Sequence, residues 1–226
     1  MLWQPARGEG YRFNLDPIFL AGFLGRWDTV IDLGAGCGVL GLYLLKTGRA
    51  KNVIAVERIP EMADIIRKNV IENGLEGRVE VVCSDLRNLE IEERGAVVFN
   101  PPYFRANQGR PAKNALRDAA RFERHGGLGD FVRAAARVAS QDHEVAAIVP
   151  EARDKELVAC FEREGLSITR RRAVLTRAGD EPVLTMMAAA SRSAGEVSVM
   201  DPLVIHAEPQ GRAFSAEVNA LVEPSA

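Results

Sequence analysis

Apolar and polar positions along the chain follow two rhythms. Short, largely apolar runs occur at residues 28–31, 52–57, 79–83, 95–99 and 144–150 and read as strands, of which 52–57 is continuous in the way of a strand buried on both faces of a parallel sheet. Between them lie stretches of helical period. Val39, Leu40, Leu42, Leu44 and Leu45 form one; Met62, Ile65, Ile66 and Val70 form a second, started by Pro60 and stopped by Asn73-Gly74; Phe131, Ala135 and Val138 mark a third. Residues 152–164 form a fourth, with Leu157, Val158 and Phe161 inward. Strand and helix therefore alternate, which predicts an open α/β sheet with right-handed crossovers. Two runs break the alternation. Residues 167–176 and 183–190 read as strands joined only by Gly179-Asp180-Glu181-Pro182, which predicts an antiparallel hairpin at the sheet edge. Ahead of the first strand, Ile18, Phe19, Leu20, Phe23 and Leu24 predict a short amphipathic helix ended by Gly25. At the far end, residues 203–206 suit an extra short strand, and residues 213–222 read as a loose terminal segment.

The first strand runs into Asp32-Leu33-Gly34-Ala35-Gly36-Cys37-Gly38, so the pattern there is strand, glycine turn, helix. Glycines in such a turn allow positive φ and let backbone approach a ligand, while the helix start offers unpaired N–H groups. A dinucleotide fingerprint would need glycine at position 39, where this chain has Val39. Glu57 ends the next strand about twenty residues on, the interval from which a carboxylate reaches ribose hydroxyls. Together these features point to an adenosine-type cofactor without a pyrophosphate. Asp85 lies just past the third strand, on the edge where open α/β sheets bind ligands, and is also placed to cap the following turn.

The fourth strand leads directly into Asn100-Pro101-Pro102-Tyr103-Phe104. Two successive prolines fix φ and remove two backbone donors, leaving a rigid loop that offers carbonyls. The side-chain oxygen of Asn100 and the carbonyl of Pro101 can accept both hydrogens of one planar NH2 group, and Tyr103 supplies a flat face for stacking. Downstream the chain turns basic, with Arg105, Arg110, Lys113, Arg117, Arg121 and Arg124 against Asp118 and Glu123, which suits contact with a polyanion.

The bulk properties bound the rest. With 226 residues, 47% apolar and 27% charged, the chain fits a single α/β domain, residues 1–226, with an N-terminal arm and helix over 1–27 and an extension over 191–226. A net charge of −2 excludes a global basic field, so nucleic-acid binding would need a local patch. No run is long and apolar enough for a membrane span, and the first seven residues lack the apolar core of a signal peptide; a cytoplasmic location is expected. Cys37, Cys83 and Cys160 are too far apart for a zinc knuckle and odd in number, and His125, His143 and His206 are scattered, so no metal is expected.

Gly34-Ala35-Gly36-Cys37-Gly38, Glu57, Asp85 and Asn100-Pro101-Pro102-Tyr103, in this order, resemble the class I S-adenosylmethionine-dependent methyltransferases that act on exocyclic or amide nitrogen. Tyr11-Arg12-Phe13-Asn14-Leu15-Asp16, Phe104, Ala120-Arg121-Phe122-Glu123 and Pro202-Leu203-Val204-Ile205-His206 narrow the resemblance to the tRNA(Val) adenine-N6 methyltransferase family. Arg121-Phe122-Glu123 departs from that family's usual Arg-His-Glu. The resemblance implies a Rossmann-like, seven-stranded, mostly parallel sheet with an antiparallel last strand and helices on both faces. It implies S-adenosylmethionine as cofactor, held by Arg12, Asp32, Gly34, Gly36, Gly38, Glu57 at the ribose, Asp85 at the adenine amino group, and Asn100. It also makes Asn100, Pro101 and Tyr103 the catalytic set, with Pro102, Tyr103, Phe104, Arg105, Arg110, Lys113 and Arg121 facing an RNA substrate, most simply a tRNA. A release-factor glutamine, whose amide is also a planar NH2, a DNA adenine and an rRNA guanine-N2 stay open as targets, and a cofactor-binding but inactive module is disfavoured by the intact Asn100 loop.

Overall fold

The computed structural model describes residues 2–4, 14–103, 127–191 and 195–223. Within them one sheet has the strand order β3-β2-β1-β4-β5-β7-β6-β8, with β9 also on β6. Its strands are β1 (Trp27–Leu33), β2 (Ala50–Glu57), β3 (Val79–Cys83), β4 (Ala96–Phe99), β5 (Val145–Pro150), β6 (Ser167–Leu175), β7 (Pro182–Ala190), β8 (Ser198–Val199) and β9 (Leu203–Val204). The first five pair in parallel. β7 inserts antiparallel between β5 and β6, as the resemblance implied.

The continuous apolar runs are explained by burial on both faces. Val30, Val53, Val98 and Ala146 point into one cluster, and their neighbours Ile31, Ile54, Val97 and Val145 into the other. α1 (Asp16–Phe23), α2 (Val39–Lys46), α3 (Pro60–Glu72) and α6 (Ala216–Val222) cover the first face; α4 (Leu128–Val138) and α5 (Asp154–Arg163) cover the second. Each face is held by fully buried side chains such as Leu44 and Ile66, or Leu157 and Phe161. Each of these contributes about 1.5–3 kcal/mol relative to exposure.

Four expectations change. α1 is not amphipathic: every residue but Gly22 is buried, because it lies between α2, β5 and α6. The 213–222 segment contains α6, capped by Ser215, which accepts from the Val218 N–H at 3.2 Å. Tyr43 Oη donates to the Leu221 carbonyl at 2.5 Å and Arg172 forks onto Glu217 at 2.7 and 2.8 Å. A Cβ at Gly22 would stand 2.6 Å from Leu221 Cδ2, so a side chain there would displace the Leu221 side chain where α6 packs. The β6–β7 hairpin is not the edge, since β8 and β9 pair in parallel with β6 beyond it, extending the expected seven strands. The helix expected over 152–164 begins as a separate 3-10 turn, Glu151–Arg153, before α5.

Candidate active site

The register of the parallel strands builds the site. Leu33 pairs with Val56 and Phe99, and Glu57 with Cys83. Gly34, Glu57, Asp85 and Asn100 therefore leave neighbouring strands at one edge, the carboxyl end of the sheet. Between β1 and β4 the strand order reverses, which opens a crevice for a ligand.

The glycine turn is tied down by its own neighbourhood. Gly34, Gly36 and Gly38 have φ of 72°, 59° and 82°, a region side chains rarely adopt. The N–H groups of Gly34 and Ala35 both donate to the Val56 carbonyl, at 2.9 and 3.0 Å, and Gly38 N–H donates to the Ala35 carbonyl at 2.8 Å. Glu57 accepts from Gly36 N–H and from Ile59 N–H, both at 2.9 Å, so one carboxylate joins the turn to the end of β2. A Cβ at Gly34 would touch the Phe131 ring at 3.0 Å, whereas at Gly36 it would meet nothing within 4 Å among the described residues. Gly34 is thus packed from below and Gly36 faces open space.

The Asn100 loop is built differently. Its Oδ1 is buried and has no hydrogen-bond partner among the described residues. Pro101 is buried and Tyr103 half-buried, and the Tyr103 hydroxyl donates to Asp16 at the start of α1. Asn14 Nδ2 also donates to that carboxylate, at 2.6 Å. Burial pushes the Asp16 carboxyl up, against the pull of its Tyr103 and Asn14 hydrogen bonds. From the other side, Arg153 Nη1 donates to the Pro102 carbonyl at 3.1 Å.

Residues 18–141 match the methyltransferase small domain family, a span that holds the glycine turn, Glu57, Asp85 and the Asn100 loop. The chain belongs to that family. It is an S-adenosylmethionine-dependent methyltransferase. Its relatives include proteins named tRNA1(Val) (adenine(37)-N6)-methyltransferase: one from Aeromonas hydrophila is 33% identical over 70% of this chain and 69% of its own. Another, from Tolumonas auensis, is 29% identical over 73% and 71%. The resemblance read from the motifs is thereby borne out. Among solved structures, a predicted O-methyltransferase from Agrobacterium tumefaciens superposes with a TM-score of 0.70 at 22% identity, covering 91% of this chain and 94% of that one. A SAM-dependent methyltransferase from Aquifex aeolicus does so at 0.54 and 21%, covering 77% and 88%. Both carry the same Rossmann-like fold.

The methyltransferase's own residues fit the cofactor. Asp32 is 2% exposed and its Oδ2 has no partner among the described residues, which suits a cationic ligand group. Burial pushes its carboxyl up to about 7; the Gly41 N–H opposes the rise and the nearby Glu57 adds to it. Burial likewise raises Glu57, against the Ile59 and Gly36 N–H groups. The open space at Gly36 among the described residues gives such a ligand room at the turn. Asp85 caps the 3-10 turn Leu86–Asn88, accepting from Arg87 N–H at 3.0 Å and from the Arg87 guanidinium at 2.9 and 2.6 Å. That pairing holds its carboxyl down at about 2.

Arg12, Phe104, Arg105, Arg110, Lys113 and Arg121 lie outside the described residues. Burial pushes the Cys37 thiol up to about 11, which suits a wedge in the turn and not a nucleophile. His143 lies against Trp27 and His206 stacks on Phe214, far apart in the chain. Among the described residues no cluster of three His, Cys, Asp or Glu is arranged to hold a metal, and no helix is long and apolar enough to cross a membrane.

The motif reading missed three residues. Asp16 and Arg153 grip the Asn100 loop, and fully buried Asn69 on α3 donates to the Cys37 carbonyl at 2.9 Å while bonding both backbone groups of Trp3, at 2.6 and 2.9 Å. Asp16 carried a signal, since it stands in the segment that resembled the family ahead of β1. Arg153 and Asn69 carried none, since both stand among charged neighbours in sequence and read as surface.

Proposed function

We propose that this methyltransferase methylates the exocyclic N6 of an adenosine in a tRNA anticodon loop, at the residue just 3′ of the anticodon. The observation that carries the reading is Asn100 Oδ1, a buried acceptor without a partner among the described residues, one residue past β4 and beside the glycine turn. A planar NH2 is the group that satisfies it, with the Pro101 carbonyl as second acceptor. The names of the relatives supply the tRNA and the base. One domain accounts for the whole chain in this reading, because α1 and α6 pack on the same sheet as the site.

S-adenosylmethionine, when bound, supplies an electrophilic methyl on a sulfonium. The glycine turn and Asp32 would hold its amino-acid end, Glu57 would accept from the ribose with the lone pairs its two N–H partners leave free, and Asp85 would accept from the adenine amino group. Asn100 and Pro101 orient the target amine and stabilise the charge that grows on it, and solvent removes the proton after transfer. The target base leaves its stack to reach this loop, and the Tyr103 ring replaces the lost stacking. A single-stranded loop gives up its bases most cheaply.

The test is tritium transfer from labelled cofactor to tRNA, rRNA, DNA and release factor in parallel. Transfer to a purified tRNA(Val), mapped to N6 of the adenosine after the anticodon, is the expected result. Transfer to release factor and to no RNA would replace the adenosine reading with the glutamine one. Replacing Arg105, Arg110 and Lys113 with Ala should weaken tRNA binding and reduce the slope of log affinity against log salt by up to about 3, at unchanged cofactor affinity. An unchanged slope would remove the basic segment from the RNA contact.

A further inference from the structure

The two prolines that stiffen the Asn100 loop also deprive it of donors, so its carbonyls must be fixed by groups from elsewhere. Arg153 is 6% exposed and is the single buried Lys or Arg among the described residues. Glu156 takes two of its N–H groups, at 3.1 and 2.9 Å, which balances the charge; Nη1 reaches the Pro102 carbonyl at 3.1 Å. A partly buried ion pair is a costly way to gain stability, and this one also sends a donor to the loop beside the reacting amine. On the opposite wall, Asp16 is 6% exposed and accepts the Tyr103 hydroxyl across 87 positions of sequence. One group fixes the 102–103 peptide at its carbonyl. The other fixes the Tyr103 ring at its far end.

We propose that Arg153 and Asp16 are positioning residues for methyl transfer, holding the 100–103 loop from two sides so that Asn100 Oδ1 and the Pro101 carbonyl face the target amine. The proposal rests on the amine-clamp reading above for its catalytic consequence, but the bracing itself is a property of the protein alone. Neither residue touches the amine. Both act through the loop.

Two readouts separate bracing from general stability. Native-state amide exchange on the unliganded protein should quicken at Tyr103 by about tenfold in Arg153→Met and in Asp16→Asn, with exchange in β1, β2 and β5 unchanged. In a methylation assay, Arg153→Met should lower kcat on the order of 10²-fold while cofactor affinity and the acceptor KM move little. Asp16→Asn in a Tyr103→Phe background should cost no more transfer than Tyr103→Phe alone, because the Tyr103 contact it weakens is already gone. If Arg153→Met does not fold, the Asp16 and Tyr103 cycle decides the matter. Unchanged Tyr103 exchange, or fully additive Asp16 and Tyr103 effects, overturns the proposal. A wild type that methylates no tRNA would sink the substrate reading and leave the exchange result standing.

Discussion

The glycine turn and the Asn100 loop leave adjacent strands at the same sheet edge, yet they are held in place by opposite means. In the turn, backbone N–H groups of 34, 35 and 36 bond to Val56 and Glu57, all within one βαβ unit. In the loop, the prolines remove the donors and the fastenings come from Asp16 and Arg153, far away in sequence on either side. If the self-fastened turn holds the cofactor and the externally braced loop holds the target, as proposed, binding and transfer can be damaged separately.

The largest separation should come from Gly36→Val. The new side chain is strained at φ of 59° and fills the open space at the turn, so cofactor binding measured by calorimetry should be lost in a protein that still folds. Unchanged affinity would take the turn out of the site. Asn100→Ala is the mirror experiment: cofactor affinity should hold while transfer falls roughly 10²–10³-fold, the scale for removing one preorganised polar group. Near wild-type transfer would end the clamp mechanism.

Asp32 gives the turn a pH dependence that the loop should not share. Its folded carboxyl titrates near 7, above the ordinary aspartate value, so the folded state holds that proton more tightly than the unfolded chain does. Protein stability from this group is therefore greatest at low pH and declines as pH rises towards 7. Affinity for a cationic cofactor should move the other way, tightening about tenfold per unit as pH rises towards 7, because ionised Asp32 favours the positive charge. Asp32→Asn should flatten that profile, and a slope that persists would assign it to another group. Asp85→Asn is expected to do least. Its partner Arg87 is exposed, so thermal stability should change little, and what is lost should be a few-fold in cofactor affinity. Asp85 supports stability above the ordinary aspartate range, and that support is lost as pH drops through about 2.

The same contrast explains what could be read from the residues alone. The parallel strands and the turn were legible because each is specified locally, by an apolar run or by glycines at fixed spacing before a helix. The antiparallel β7 was legible because no helical stretch separates residues 175 and 182. The full burial of α1 was not, since Leu20 and Ala21 look the same whether solvent or α6 lies outside them. Nor was Arg153, an arginine after a strand that reads as surface until Pro102 and Glu156 are seen around it. Asp85 was legible in position, and both its readings, cap and ligand contact, remain compatible with where it stands. Tertiary partners across long sequence separations leave little trace in a single chain's periodicity.

The packing of α6 on α1 also bears on the order in which the protein comes together. Tyr43 and Leu221 are 178 positions apart, and Gly22 meets the same leucine, so the outer side of α1 stays uncovered until nearly all of the described chain has left the ribosome. The β1–α2–β2–α3–β3 unit can collapse from contacts between near neighbours well before that. Folding is then expected in two stages, an early cofactor-binding half and a late closure in which α6 docks, and during the interval a nearly all-apolar helix is displayed to chaperones and to other nascent chains.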